Sequence, residues 1–352
     1  MDDANILKNR IKNKFNDKSC IKDNISFPRE IKIDVSSSCN YKCIMCQHSI
    51  MQGGGITIDS KLCKKILSEA YSAGARECSF HFWGEPLLNK SLEDYILYAK
   101  NLGYEYVYFT TNGYLATIER SRKLLDAGLD SIRFSINASR ENYKLVHGID
   151  GYDRVLNNIK ALYDYRIQSK SKCKIYVSFI ATKQTALEAS KVTIDVKEYV
   201  DDIVIIKVRN FGGIAKNIFK ILEIGNDNYR QTYPCTQPFK DFCVSAEGYL
   251  LTCCFDAENK TVIADLNNCS VIEAWYSKKF EDFRKRHLAG DLKGTLCYNC
   301  LNSAEETVLS LTEDVNTPIL DFSMEKEVMD RIHQIEENNL VNLVSDIRGY
   351  YP

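Results

Sequence analysis

The chain has 352 residues with 46 Lys and Arg against 47 Asp and Glu, a formal net charge of −1, 45% hydrophobic and 26% charged residues. That is room for two domains with a sizeable core, and so balanced a charge gives no global field for nucleic acid or an anionic membrane. The start, MDDANILKNRIKNKF, lacks the apolar core of a signal peptide and no apolar run is long enough to span a bilayer, so the protein reads as cytoplasmic with no nucleic-acid and no membrane partner.

Residues 1–30 read as an N-terminal extension. From residue 31 strand and helix alternate. IKIDV (31–35), ECSFHF (77–82), YEYVYFT (104–110), SIRFSIN (131–137), KIYVSFIA (174–181) and DIVIIKV (202–208) are rich in β-branched and aromatic residues. Between them SKLCKKILSEAYSAG, SLEDYILYAKNLG, ERSRKLLDAG, YDRVLNNIKALYDYR and ALEASKVTIDVKEY carry helical spacing. Six βα units in series predict a parallel α/β sheet over 31–217, doubly wound or curled into a partial barrel. Ligands of such sheets bind beyond the strands' C-terminal ends. The polar motifs sit there: a cysteine loop after the first strand, WGEP (83–86) after the second, TNG (111–113) after the third, Ser135 and Asn137 closing the fourth, and Arg209 after the sixth.

After FGGIAKN (211–217) the alternation stops, and 218–310 reads as a small second domain. KDFCVSAEGYLLTCC (240–254) predicts a β-hairpin and SVIEAWYSKKFEDFRKRHLAG (270–290) one amphipathic helix. So little apolar material needs a staple, commonly a metal. The tail, 311–352, contains EKEVMDRIHQIEENNLVNLV, predicted to be a helix docked on the body.

Cysteine is the compositional outlier, at 14 residues. Without an export signal such cysteines bind metal or do chemistry more often than they form disulfides. Cys39, Cys43 and Cys46 lie on one loop with the spacing CxxxCxxC. Four cysteines saturate a [4Fe–4S] cube; three leave one iron open for a chelating ligand. A zinc site borrowing His48, or incidental cysteines, are the other readings, and the place of the loop after the first strand of a six-unit array disfavours them.

The CxxxCxxC loop, the βα array and the strand-end motifs together closely resemble the radical S-adenosylmethionine (radical SAM) enzymes over about residues 30–215. The resemblance implies a partial (β/α)6 radical SAM barrel. It also implies that the open iron binds SAM, that an electron cleaves SAM to a 5′-deoxyadenosyl radical, and that this radical takes hydrogen from a substrate. Gly84, Glu85 and Pro86 fall on the family's GGE-like motif, whose backbone meets the methionine amino group; Trp83 replaces its first glycine. Thr111 and Asn112 fall near the methionyl end, Ser135 and Asn137 where the ribose hydroxyls are held, and Met45 stands in place of an aromatic residue near the adenine.

Residues 234–300 resemble the SPASM and twitch extensions of the same family, through PCTQPF, AEGYLLTCCFD, IEAWYSKKFEDFRKRHLAGDL and CYNC. The twitch form implies a second, auxiliary [4Fe–4S] cluster on Cys235, Cys253, Cys297 and Cys300; a four-cysteine zinc site would staple the domain equally well. The resemblance prefers Cys253 to Cys254, because the family spaces a cysteine at that distance beyond the hairpin glycine, here Gly248. Cys254 is a candidate hydrogen donor to a substrate radical, though alternation along a strand turns it away from its neighbour. Arg209 and His81 are the candidates to act at a substrate hydroxyl, His81 with the plainer alternative of a core histidine.

The resemblance implies a radical SAM oxidoreductase that dehydrogenates or otherwise redox-modifies a small polyol, sugar or aminocyclitol, supplied with electrons by a flavodoxin- or ferredoxin-type donor. A second expectation is epimerisation, crosslinking or oxidation of a ribosomally made peptide, against which about 30 residues before the first strand leave little room for a leader-binding domain. A third is a non-catalytic, zinc-stapled binding protein.

Overall fold

The computed structural model describes residues 18–21, 25–52, 55–209, 216–224, 234–302, 304 and 306–339. Most of the FGGIAKN stretch and the tail beyond 339 lie outside them. The six expected strands are present as β1 (Glu30–Ile33), β2 (Glu77–Ser79), β3 (Tyr106–Thr111), β4 (Ser131–Ser135), β5 (Lys174–Ala181) and β6 (Asp202–Lys207), neighbours in that order and all parallel. Between them run α1 (Ser60–Ser72), α2 (Leu92–Leu102), α3 (Ile118–Asp126), the short α4 (Tyr143–His147), α5 (Tyr152–Ser169) and α6 (Ala189–Val196). Helix starts follow the sequence chemistry: the Asp59 carboxylate accepts from the Lys61 and Leu62 amides, and the Thr117 hydroxyl from the Arg120 amide.

The strands' period-two alternation sorts the side chains between two unlike faces. Ile31, Ile33, Val107, Phe109, Ile132, Phe134, Val177 and Phe179 are buried in one core with Ile66, Leu67, Ile96, Leu124, Val155 and Ile159 of the helices. The opposite face is polar. There Lys32 pairs with Asp241, Tyr108 bonds Glu30, the Tyr106 and Ser131 hydroxyls meet at 2.7 Å, and Arg133 Nε donates to Thr110 Oγ1 at 3.0 Å. Parallel sheets covered on both faces read as continuous apolar runs. A polar second face instead marks a barrel interior fit to hold a ligand.

The predicted hairpin forms from β7 (Asp241–Val244) and β8 (Tyr249–Leu251), turned at Gly248 with φ +94. Its placement differs from a free-standing second domain. β7 pairs in parallel with β1, and β9 (Val262–Asp265) extends the ladder, so nine strands share one sheet in the order β9-β8-β7-β1-β2-β3-β4-β5-β6. The pairing covers the open edge of β1 and buries Phe242 against Phe27 and Trp275. It also seals in the Lys32–Asp241 pair, each side chain at most 4% exposed. Burial pulls the Lys32 ammonium down, but Asp241, with Glu30, more than offsets this and holds it well above its ordinary value.

After α7 (Lys216–Leu222) and the hairpin, the expected single helix over 270–290 is broken into α8 (Val271–Trp275) and α9 (Lys278–Ala289). The cause is local: the Ser277 hydroxyl accepts from the Phe280 amide and starts a new helix. Arg284 then folds back over the Trp275 ring at 4.1 Å and donates to the Trp275 and Pro238 carbonyls at 2.9 Å each. Cys297 and Cys300 lie on α10 (Leu296–Asn302). The last described helix, α11 (Glu325–Asn338), docks Val328, Ile332 and Ile335 on Ile44, Met45, Ile50 and Val146. Ile319 and Leu320 pair with Gln52 and Met51, a second tie between the tail and the front loop. Among the described residues no helix is long and apolar enough to cross a membrane.

Candidate active site

The front loop leaves β1 and is held from three sides. The Ser36–Ser38 backbone lies against Gly84, where a Cβ would stand 1.6 Å from the Ser36 carbonyl oxygen, so no other residue fits without moving the chain. The Glu85 amide donates to the Ser38 carbonyl at 2.7 Å. On the far side the Lys42 and Ile44 amides donate to the His147 and Val146 carbonyls at 3.1 and 2.9 Å, zipping the peptide around Cys43 to α4. α11 closes the third side.

Within this cradle Cys39, Cys43 and Cys46 are half-buried, unbridged thiols. Burial pushes Cys39 up to about 12, with Glu85 and Cys46 adding to it; Cys43 is raised by burial and then by Cys46 and Cys39. Thiols that would repel one another as thiolates are held together without a disulfide. Such a set is stable when protonated or when a cationic soft metal centre replaces the protons, which is the donor chemistry of an iron–sulfur cluster. The Tyr41 amide points at Cys39 Sγ at 3.4 Å, the Asn112 amide nitrogen at 3.9 Å, and His147 Nδ1 lies 3.1 Å from Cys43 Sγ.

Glu85 is the knot between motifs. Its buried carboxylate accepts from Thr111 Oγ1 at 2.7 Å, the Asn112 amide at 2.8 Å and the Leu87 amide at 3.0 Å. Burial raises this carboxyl and the three donors pull it back. Pro86 opens the turn 86–88 beneath it. Asn112 in turn donates to Asn40 Oδ1 at 2.8 Å. The GGE-like segment and Thr111 therefore stiffen the cysteine loop, a structural role that the sequence reading did not give them.

Two residues expected at SAM have protein partners of their own. Asn137 spends its Oδ1 on the Ile180 amide at 2.8 Å, bridging β4 to β5 as a strand-end cap. Met45 is drawn into the apolar cluster under α11, 7% exposed. Ser135 ends β4 half-buried, and Arg209 follows β6, also half-buried. His81 stands on the polar side next to Tyr108, ring centroids 5.6 Å apart, rather than in the apolar core.

The rear cysteines also converge. Cys235 is raised by burial to about 12 and feels Cys300; Cys297 is raised by burial, then by Cys235 and Cys300. Cys253 interacts with Cys254 first and with Cys235. Cys254, in side-chain contact with Cys253, also packs with Cys243 and Phe82, near Lys32 of the barrel interior. Cys253 and Cys254 therefore lie together between the rear cysteines and the barrel interior. Among the described residues no three His, Cys, Asp or Glu side chains converge tightly enough to hold a single metal ion.

Residues 33–181 match the family model described as the Radical SAM superfamily, and residues 235–301 that of an iron–sulfur cluster-binding (SPASM) domain. The chain carries a radical SAM domain followed by a SPASM domain. Curated relatives include a probable GTP 3′,8-cyclase of Saccharolobus solfataricus, 29% identical over 163 residues, which are 46% of this chain and 51% of that protein. The chain thus spans about half the length of that cyclase. An S-adenosyl-L-methionine-dependent 2-deoxy-scyllo-inosamine dehydrogenase of Niallia circulans is 24% identical over 287 residues, 79% of this chain and 94% of that protein. Among solved structures the fold is shared with BtrN in complex with AdoMet and 2-DOIA, at TM-score 0.54 and 22% identity over 84% of this chain and all of that one. It is shared too with Streptococcus suis SuiB bound to the precursor peptide SuiA, at TM-score 0.56 and 17% identity over 79% of this chain and 71% of that one.

Sequence reasoning missed His147, Asn40 and α4. The HG of LVHGID carries no motif, and its partner Cys43 lies 104 positions away in the chain.

Proposed function

We propose that this chain is a radical SAM oxidoreductase that dehydrogenates a small polyol, sugar or aminocyclitol. The observation that supports the reading is how close the rear cysteines come to the barrel interior: Cys253 feels Cys235 on one hand and Cys254 on the other, and Cys254 lies with Cys243 near Lys32. An oxidation needs an electron acceptor next to the substrate, and this arrangement supplies a place for one. The likeness to the inosamine dehydrogenase over 94% of that protein's length supports the same reading.

In this reading Cys39, Cys43 and Cys46 hold a SAM-binding [4Fe–4S] cluster, and Cys235, Cys253, Cys297 and Cys300 an auxiliary one. When bound, the front cluster supplies the electron that cleaves SAM, and the rear cluster takes up the electron left on the oxidised carbon. The chain's own residues do the rest. Glu85, Thr111 and Asn112 brace the front loop; the Gly84–Pro86 edge, Ser135 and the strand ends aim SAM into the polar interior. Conversion of a secondary alcohol to a ketone sends one hydrogen atom to the 5′-deoxyadenosyl radical and releases one proton and one electron. Arg209 or His81 assists loss of that proton, and Cys254 borders the site without donating hydrogen. A flavodoxin- or ferredoxin-type protein would reduce the front cluster, in the cytoplasm.

Likeness to SuiB bound to its precursor peptide favours one alternative, modification of a ribosomally made peptide; a zinc-stapled binding protein is the other. Anaerobic protein incubated with dithionite, SAM and candidates deuterated at the carbinol carbon separates them. Deuterium in 5′-deoxyadenosine from a polyol or aminocyclitol is the expected result. Deuterium only from a peptide, or no 5′-deoxyadenosine at all, overturns the proposal.

A further inference from the structure

We infer that His147 is a positioning residue for the front cluster: its Nδ1–H donates to the Cys43 sulfur and holds the cluster's reduction potential above what the three thiolates alone would give. This rests on the front loop's being a cluster site, as proposed above.

The argument begins with the other nitrogen. His147 Nε2 lies 3.1 Å from the backbone nitrogen of Asn137. A backbone amide only donates, so Nε2 carries the lone pair, and the proton of the neutral ring sits on Nδ1. Nδ1 is the atom 3.1 Å from Cys43 Sγ, well within reach for an N–H···S bond. The ring is not free to turn away. It is 1% exposed, tilted against Tyr143 at 4.2 Å between centroids and edge-on to Tyr41 at 5.5 Å. The backbone repeats the same pairing, because the amides on either side of Cys43 donate to the Val146 and His147 carbonyls. Gly148, directly after, leaves room for Arg331 of α11, whose Nη1 would stand 3.0 Å from a Cβ there.

A cluster-bound thiolate is an acceptor only. A hydrogen bond to its sulfur spreads negative charge and stabilises the more reduced, more negative state of the cluster, which raises its potential; donors around ligands are a recognised means of tuning such centres. Cys39 has weaker donors in the Tyr41 amide and the Asn112 side chain, at 3.4 and 3.9 Å. Cys43 is therefore the sulfur with the buried, tautomer-fixed donor. A purely space-filling histidine would leave the potential unchanged when replaced by a ring of similar size.

The experiment is a redox titration followed by EPR on anaerobically prepared holoenzyme, comparing wild type with His147→Phe and His147→Asn. The front cluster is the one whose signal changes on adding SAM. Expected is a more negative front-cluster midpoint in His147→Phe, recovery toward wild type in His147→Asn, whose amide can donate from near the Nδ1 position, and an unmoved rear cluster. An unmoved front-cluster midpoint in an iron-loaded His147→Phe protein overturns the inference while leaving the proposed function intact. Should His147→Phe fail to load iron, wild-type protein carrying [15N]histidine decides by pulsed EPR. A histidine nitrogen coupled to the SAM-responsive signal supports the bond, and none overturns it. Wild-type protein without iron in the front loop overturns the functional reading and this inference together.

Discussion

Gly84 fills a place that a single methyl group would destroy: a Cβ there would lie 1.6 Å from the Ser36 carbonyl oxygen and 2.7 Å from that of Ser38. Gly84→Ala must push the Ser36–Ser38 segment away, and with it the cysteine loop. The expected outcome is selective. Iron per chain falls from about eight to about four, the auxiliary cluster remaining, because the clash falls on Ser36 and Ser38 of the front loop. Loss of both clusters together would show that Gly84 matters only for folding. The WGEP motif was legible in the sequence as a motif. Its steric reason was not, because the clash is with backbone 48 positions earlier. The same holds more strongly for His147, an unremarkable residue until α4 brings it to Cys43. Asn137 and Met45 were legible as strand-end and loop residues, yet their bonding is settled by neighbours far along the chain, β5 for one and α11 for the other.

At the scale of elements, α11 is the part whose docking bears most on the site. Val328, Ile332 and Ile335 are all fully buried against the front loop and α4. Ile332→Ala removes three buried methyl or methylene groups and costs about 2–4 kcal/mol of stability in a denaturant titration. Because the cavity opens beside the cysteine loop, the front cluster should also bleach faster in air than in wild type, with the rear cluster unaffected. An equal rate for both clusters would deny α11 its covering role. The six βα units were readable because local periodicity decides a strand or helix. What periodicity could not supply was long-range pairing: the hairpin was foreseen, but its attachment to β1 depends on Asp241 meeting Lys32 and Phe242 meeting Phe27. The break at Ser277 was available in principle, since a serine three residues before Phe280 is a cap, but amphipathic spacing across 270–290 masks it.

For the whole molecule, the continuous sheet makes the barrel and the rear hairpin one cooperative body, and acid should unfold it through its buried neutral groups. His287 is fully buried between Phe239 and Phe283, and burial lowers it to about 4. The folded state keeps it neutral while the unfolded chain takes up a proton near pH 6.5, so its contribution is present above about 6.5 and is lost as the pH falls toward 4. The full effect is up to about 3 kcal/mol. Between pH 7 and 5 wild type should therefore lose more stability than His287→Phe, measured by urea unfolding at each pH; equal losses would show that His287 is not the group responsible.

The pairing of an open three-cysteine site with a closed four-cysteine site is the core of this account. It is tested most directly by metal and acid-labile sulfide analysis of anaerobically purified protein. Two cubes predict about eight iron and eight sulfide per chain, falling by about half when either cysteine set is replaced. Zinc in place of iron, with no labile sulfide, would contradict it.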